Sequence, residues 1–96
     1  MPKRMQDVPA EYLSNQRVLA ESIGARVRLC RERQGLSQEH LRARLELEAV
    51  YISRTQYSRL ENGEMQPNAA HLIGLRKVLG VSYEWLLEGK DVMRDG

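Results

Sequence analysis

Between Ser53 and Gly63 the chain reads Ser53-Arg54-Thr55-Gln56-Tyr57-Ser58-Arg59-Leu60-Glu61-Asn62-Gly63. Arg54, Thr55, Ser58 and Arg59 carry hydrogen-bonding groups, while Tyr57 and Leu60, three apart, form a narrow apolar stripe. Ser53 can cap a helix here by accepting from a free backbone N–H one turn on, and Gly63 can end it. The product is a short helix with a thin inner anchor and a polar outer face. Arginine forks and small hydroxyls on one such face suit the reading of base edges in a DNA major groove. A plain solvated helix has the same look in isolation, so the neighbouring elements must decide.

Those neighbours are helical. From about Gln16 to Gln34, Leu19, Ile23, Val27 and Cys30 recur at spacings that make one face. Gly35 ends that helix and Leu36 follows as the apolar contact after the cap. Ser37 caps the next; Ser37-Gln38-Glu39-His40 resembles a capping box with His in place of Glu or Gln. Leu41 and Leu45 form its inner stripe, and it is expected to end near Leu45. Glu46 to Ile52 reads either as an extended connection or as extra helix. After a loop through Pro67, Asn68 caps a helix to about Leu79, with Leu72, Leu75, Val78 and Leu79 inward and Gly80 as the stop. Ser82 caps a last helix, Tyr83 to Leu87, which Gly89 ends. Residues 1–15 read as a flexible arm bearing Lys3 and Arg4. Within it, Ala10 to Asn15 could form one helical turn that packs Tyr12 and Leu13 back on the domain. The domain is then residues 16–89 and the tail 90–96, with no strand and no repeat in prospect.

A chain of 96 residues has room for one modest core. Its net charge of +2 says little, but the cations are mostly arginine and most precede Val78, with clusters at Arg26–Arg33 and Arg42–Arg44. Arginine gives bidentate contacts to phosphate and guanine; the same clusters would also suit helix faces paired with Glu. The lone Cys30, at a core spacing, reads as a buried apolar residue and rules out an internal disulfide or a multi-cysteine zinc site. No apolar run approaches a membrane span and no signal peptide is visible, which points to a cytoplasmic protein without a membrane partner. His40 and His71 have no ligand spacing between them and sit at helix starts, so neither an enzyme, a metal site nor a cofactor is expected.

Read in order, Ile23-Gly24, Arg31, Gly35-Leu36-Ser37-Gln38, Leu41, Leu45, Ser58-Arg59-Leu60-Glu61-Asn62-Gly63, Pro67, Leu79-Gly80-Val81-Ser82 and Trp85-Leu86-Leu87-Glu88-Gly89 resemble the Xre/Cro-type helix-turn-helix family of phage repressors and bacterial regulators. The resemblance spans Ile23 to Gly89. It implies an all-α, lambda-repressor-like bundle of five helices, with Ser37–Leu45 as positioning helix and Ser53–Asn62 as recognition helix. It further implies that Gln38 contacts phosphate, that Arg54, Thr55 and Ser58 read bases, and that Arg59 reaches a base or a phosphate. Ser53 stands at the head of that set, and Asn62 would approach phosphate through its backbone. Arg31 and Glu61 would form a structural pair.

The departures are specific. The stretch from Leu45 to Leu60 is several residues longer than the family pattern, Glu46 replaces a turn glycine, and Arg42 replaces a small alanine. Two frames therefore compete. In one, Glu46–Ile52 is a connection and Ser53 the cap. In the other, a helix begins near Glu48 and brings Val50, Tyr51 and Ser53 to the groove. The gap-free match from Ser53 to Gly63 favours the first. The function expected is sequence-specific binding of double-stranded DNA by a homodimeric regulator, a repressor, with no small-molecule ligand. The alternative is a protein-interaction module of antitoxin or adaptor type, using the apolar set Tyr83, Trp85, Leu86 and Leu87.

Overall fold

The computed structural model describes residues 9–90, and the arm residues Lys3 and Arg4 and most of the expected tail lie outside them. Five α-helices follow one another: α1 (Ala10–Arg33), α2 (Gln38–Leu47), α3 (Arg54–Glu61), α4 (Ala69–Leu79) and α5 (Tyr83–Glu88). No regular strand occurs among the described residues. Four of the five starts are capped by a side chain accepting from the backbone three residues on: Ser37 from His40, Ser53 from Gln56, Asn68 from His71 and Ser82 from Trp85. Each satisfies a donor that the helix geometry leaves over.

The expected boundary of α1 needs correction. Its helix begins at Ala10, so residues 10–15 continue α1 rather than forming a separate turn in a flexible arm. Tyr12 and Leu13 remain exposed and do not pack back on the domain. Pro9 supplies no side-chain cap but its carbonyl accepts from the N–H groups of Tyr12 and Leu13, and its fixed φ suits a helix start. Leu19 also lies outside the core, whereas Ala20 and Gly24 are buried. The buried face thus passes through small residues, because another backbone lies close to it. A Cβ on Gly24 would stand 2.3 Å from the carbonyl oxygen of Leu60, so α3 can approach α1 only where a side chain is missing.

The core joins Ile23, Val27 and Cys30 of α1, Leu41 and Leu45 of α2, Tyr57 and Leu60 of α3, Leu75 and Leu79 of α4, Val81, and Leu86 of α5. Helix α1 packs against α3, α4 and α5, while α2 packs against α3 and α4. Two arginines of the first basic cluster work inside this arrangement. Arg26 donates to the carbonyls of Leu86 (3.0 Å) and Leu87 (2.8 Å), closing the free end of α5. Arg31 turns toward Glu61, as described below. Cys30 is fully buried, and burial pushes its thiol above the ordinary range.

Candidate functional site

One carboxylate fixes the back of α3. Glu61, 5% exposed, accepts from Arg31 Nε at 2.6 Å and Arg31 Nη2 at 3.0 Å. It also accepts from Gln38 Nε2 at 3.1 Å and from the Tyr57 hydroxyl at 2.5 Å. Arg31 keeps a third bond, from Nη1 to the carbonyl of Leu36 at 2.7 Å. Helices α1, α2 and α3 and the turn after α1 therefore meet on one buried ion pair with its lone pairs filled. The bond to Glu61 pushes the Arg31 guanidinium still higher. Burial first, and the bond to Glu61 second, push the Tyr57 phenol far above its ordinary range. The pair expected between Arg31 and Glu61 is present, and Gln38 joins it.

This anchoring leaves the other side of α3 open. Arg54, Thr55 and Arg59 are exposed and Ser58 is half-buried, while Tyr57 and Leu60 are buried. Ser53 Oγ accepts from the Gln56 N–H at 3.1 Å, leaving its own hydroxyl hydrogen to donate outward. Asn62 is exposed at the far end, but its N–H already donates to the Ser58 carbonyl, so its free group is the side-chain amide. Gln38 is half-buried at the first position of α2, and one of its two amide hydrogens is used on Glu61. The N–H groups of Gln38 and Glu39 open that helix, where a helix start leaves its first donors without an intrahelical partner. The seven residues are thus brought to two adjoining places, the outer face of α3 and the start of α2.

The stretch between the two helices follows the first frame in outline. Helix α2 runs on to Leu47, two residues beyond the expected end at Leu45, and α3 begins only after Ser53. The chain reverses at Ala49, whose φ of 59° is left-handed although the residue is not glycine. Val50 N–H donates to the Leu45 carbonyl at 2.9 Å. Val50 and Ile52 are then buried, and Tyr51 between them points outward, 73% exposed. This in-out-in order is that of an extended segment. Gly74 of α4 makes room for it, since a Cβ there would lie 2.8 Å from Val50 Cγ2. Arg42, the residue standing where a small one was expected, donates from Nε to the Ile52 carbonyl at 3.0 Å. It ties the longer connection to α2.

Sequence reasoning did not find two further contacts at this site. Arg54 Nη2 is bonded to Glu39 Oε1, an exposed ion pair between the first turns of α3 and α2. Arg42 and Ile52 form the other. Neither follows a helical spacing, so only the folded chain brings the partners together. The apolar set of α5 is largely used internally: Leu86 is fully buried, Trp85 and Leu87 pack against the core, and Tyr83 lies 5.1 Å beneath the Arg76 guanidinium. No described helix is long and apolar enough to cross a membrane.

Comparison with known proteins agrees with this arrangement. Residues 27–86, more than half of the chain, match the family described as helix-turn-helix. The chain is also 32% identical over 72 residues to the SPbeta prophage-derived uncharacterized HTH-type transcriptional regulator YonR of Bacillus subtilis (strain 168). That match covers 75% of this chain and 62% of the relative. No solved structure matches the chain.

Proposed function

The chain belongs to the Xre/Cro-type helix-turn-helix family, and from that premise we propose that it is a sequence-specific DNA-binding transcription regulator that acts as a homodimeric repressor. The observation that carries this reading is the two-sided character of α3. Its inner residues Tyr57, Leu60 and Glu61 are buried and bonded, while Arg54, Thr55 and Arg59 face outward and Ser58 lies at their edge. Arg54 has the reach and the fork for guanine O6 and N7. Thr55 offers a methyl to thymine or a hydroxyl to a base edge, Ser58 stands one turn beyond Arg54, and Arg59 takes a base or a phosphate. Gln38, Ser53 and Asn62 hold phosphates on either side. A single copy reaches few base pairs, so two copies read half-sites about one helical turn, ~34 Å, apart.

The test compares Arg54→Ala and Tyr51→Ala on a duplex selected from a random pool and on random DNA. Arg54→Ala is expected to cost about 1–3 kcal/mol on the selected duplex, far less on random DNA, and to relax choice at one base pair per half-site. Tyr51→Ala is expected to leave the ratio of the two affinities unchanged. Loss of that ratio with Tyr51→Ala alone would place the reading residues in the connection instead, and no loss with either would reject reading by α3.

A further inference from the structure

Glu39 lies at the second position of α2, next to Gln38 and across from the first residue of α3. Its carboxylate accepts from Arg54 Nη2 although both side chains are largely in solvent, Glu39 63% and Arg54 76% exposed. An ion pair that open adds little to stability, since solvent screens it and two long side chains lose freedom to form it. The start of α2 favours a carboxylate through its dipole, which explains why Glu39 is tolerated there but not why it meets Arg54. The location is also adverse for a carboxylate beside DNA. It repels the phosphates that the start of α2 and the cations of α3 would draw in.

We infer that Glu39 is a positioning residue for DNA recognition, which holds the Arg54 guanidinium in the orientation that reads guanine and keeps it from pairing freely with phosphate. The inference rests on α3 being the reading helix. A free arginine side chain has many rotamers, and most of them bring its charge to a backbone phosphate that carries no sequence information. One of five N–H donors engaged on Glu39 leaves enough for a bidentate contact to one base. The cost of ordering the side chain is then met before binding, and the pairing lowers the net charge that Arg54 offers to any phosphate. Glu39 therefore has opposite effects on the two kinds of DNA. It weakens binding to all sequences through its charge, and it sharpens the choice at the base pair under Arg54.

The experiment uses the full chain, with the duplex selected by the wild-type chain from a random pool, the same duplex changed at the base pair that responds to Arg54→Ala, and random DNA. Glu39→Gln removes the charge at an exposed position and leaves the fold intact, which circular dichroism checks. It is expected to raise affinity for random DNA a few-fold and to lower discrimination at that base pair by about fivefold or more. In an Arg54→Ala background, Glu39→Gln is expected to raise both affinities alike and to leave discrimination where it was. If Arg54→Ala lowers discrimination but Glu39→Gln does not, or if Glu39→Gln lowers it equally in the Arg54→Ala background, the positioning role is overturned while α3 remains the reader. If Arg54→Ala itself leaves discrimination unchanged, the role assigned to Arg54 falls, and that of Glu39 with it.

Discussion

Glu61 is the residue on which three helices depend, and its partners differ in what they put at risk. Arg31→Ala would leave a buried carboxylate without its countercharge, since Gln38 and Tyr57 contribute only neutral donors. A loss of about 3 kcal/mol in unfolding free energy is expected, read as a shift of the denaturation midpoint; an unchanged midpoint would mean the pair carries no weight. Tyr57 makes the same cluster sensitive to alkali. Its phenol is held protonated in the fold by burial and by the bond to Glu61, so its folded pKa is raised. A raised pKa means that the stability it contributes is complete below the unfolded value, about pH 10, and is lost as pH rises further. The wild-type chain should therefore lose stability between about pH 10 and pH 12 faster than Tyr57→Phe, and the gap between the two should narrow over that range. A constant gap across that range would show that the phenol does not titrate with unfolding.

At the scale of elements, the connection between α2 and α3 holds the clearest liability. Ala49 adopts a left-handed conformation that costs a residue with a Cβ roughly 1–2 kcal/mol. Ala49→Gly should recover part of this, about 0.5–1 kcal/mol after the added freedom of the unfolded chain is deducted, with no change in DNA preference. A lower melting temperature for that variant would show that the turn is not strained. The element starts were legible because a cap is local: Ser37, Ser53, Asn68 and Ser82 each reach a backbone group three residues on. The start of α1 was not, because Pro9 offers no such side chain and the first turns of α1 expose Tyr12 and Leu13. Periodicity counted Leu19 as core and passed over Ala20 and Gly24, since large apolar residues dominate such a reading while a close backbone selects small ones. The histidine-closed capping box is real, but it forms at Asn68 and His71, where Nδ1 accepts from the Asn68 N–H, whereas His40 closes none at Ser37. The polar face of α3 was legible from composition and spacing. The brace from Glu39 and the tie from Arg42 were not, because each joins residues whose proximity is set by the path of the connection.

For the whole molecule, a net charge of +2 understates what DNA would meet, because Arg54 and Arg59 share one exposed face while Arg26 and Arg31 are committed to carbonyls and to Glu61. Affinity for DNA should fall steeply with salt, the logarithm dropping by about 0.9 per phosphate neutralised for each unit in log salt. Titration of a labelled duplex between low and moderate salt measures this. A flat response would favour a protein partner held by apolar contacts. The anchoring of α3 from one side has a consequence for descent as well. Tyr57, Leu60 and Glu61 meet the folding requirement of the helix, so changes at positions 55, 58 and 59 escape the selection that guards the core. With α3 as the proposed reader, a lineage built on this scaffold would drift in the sequence it recognises long before it drifts in shape, and positions 39 and 54, paired in the fold, would have to change hands together.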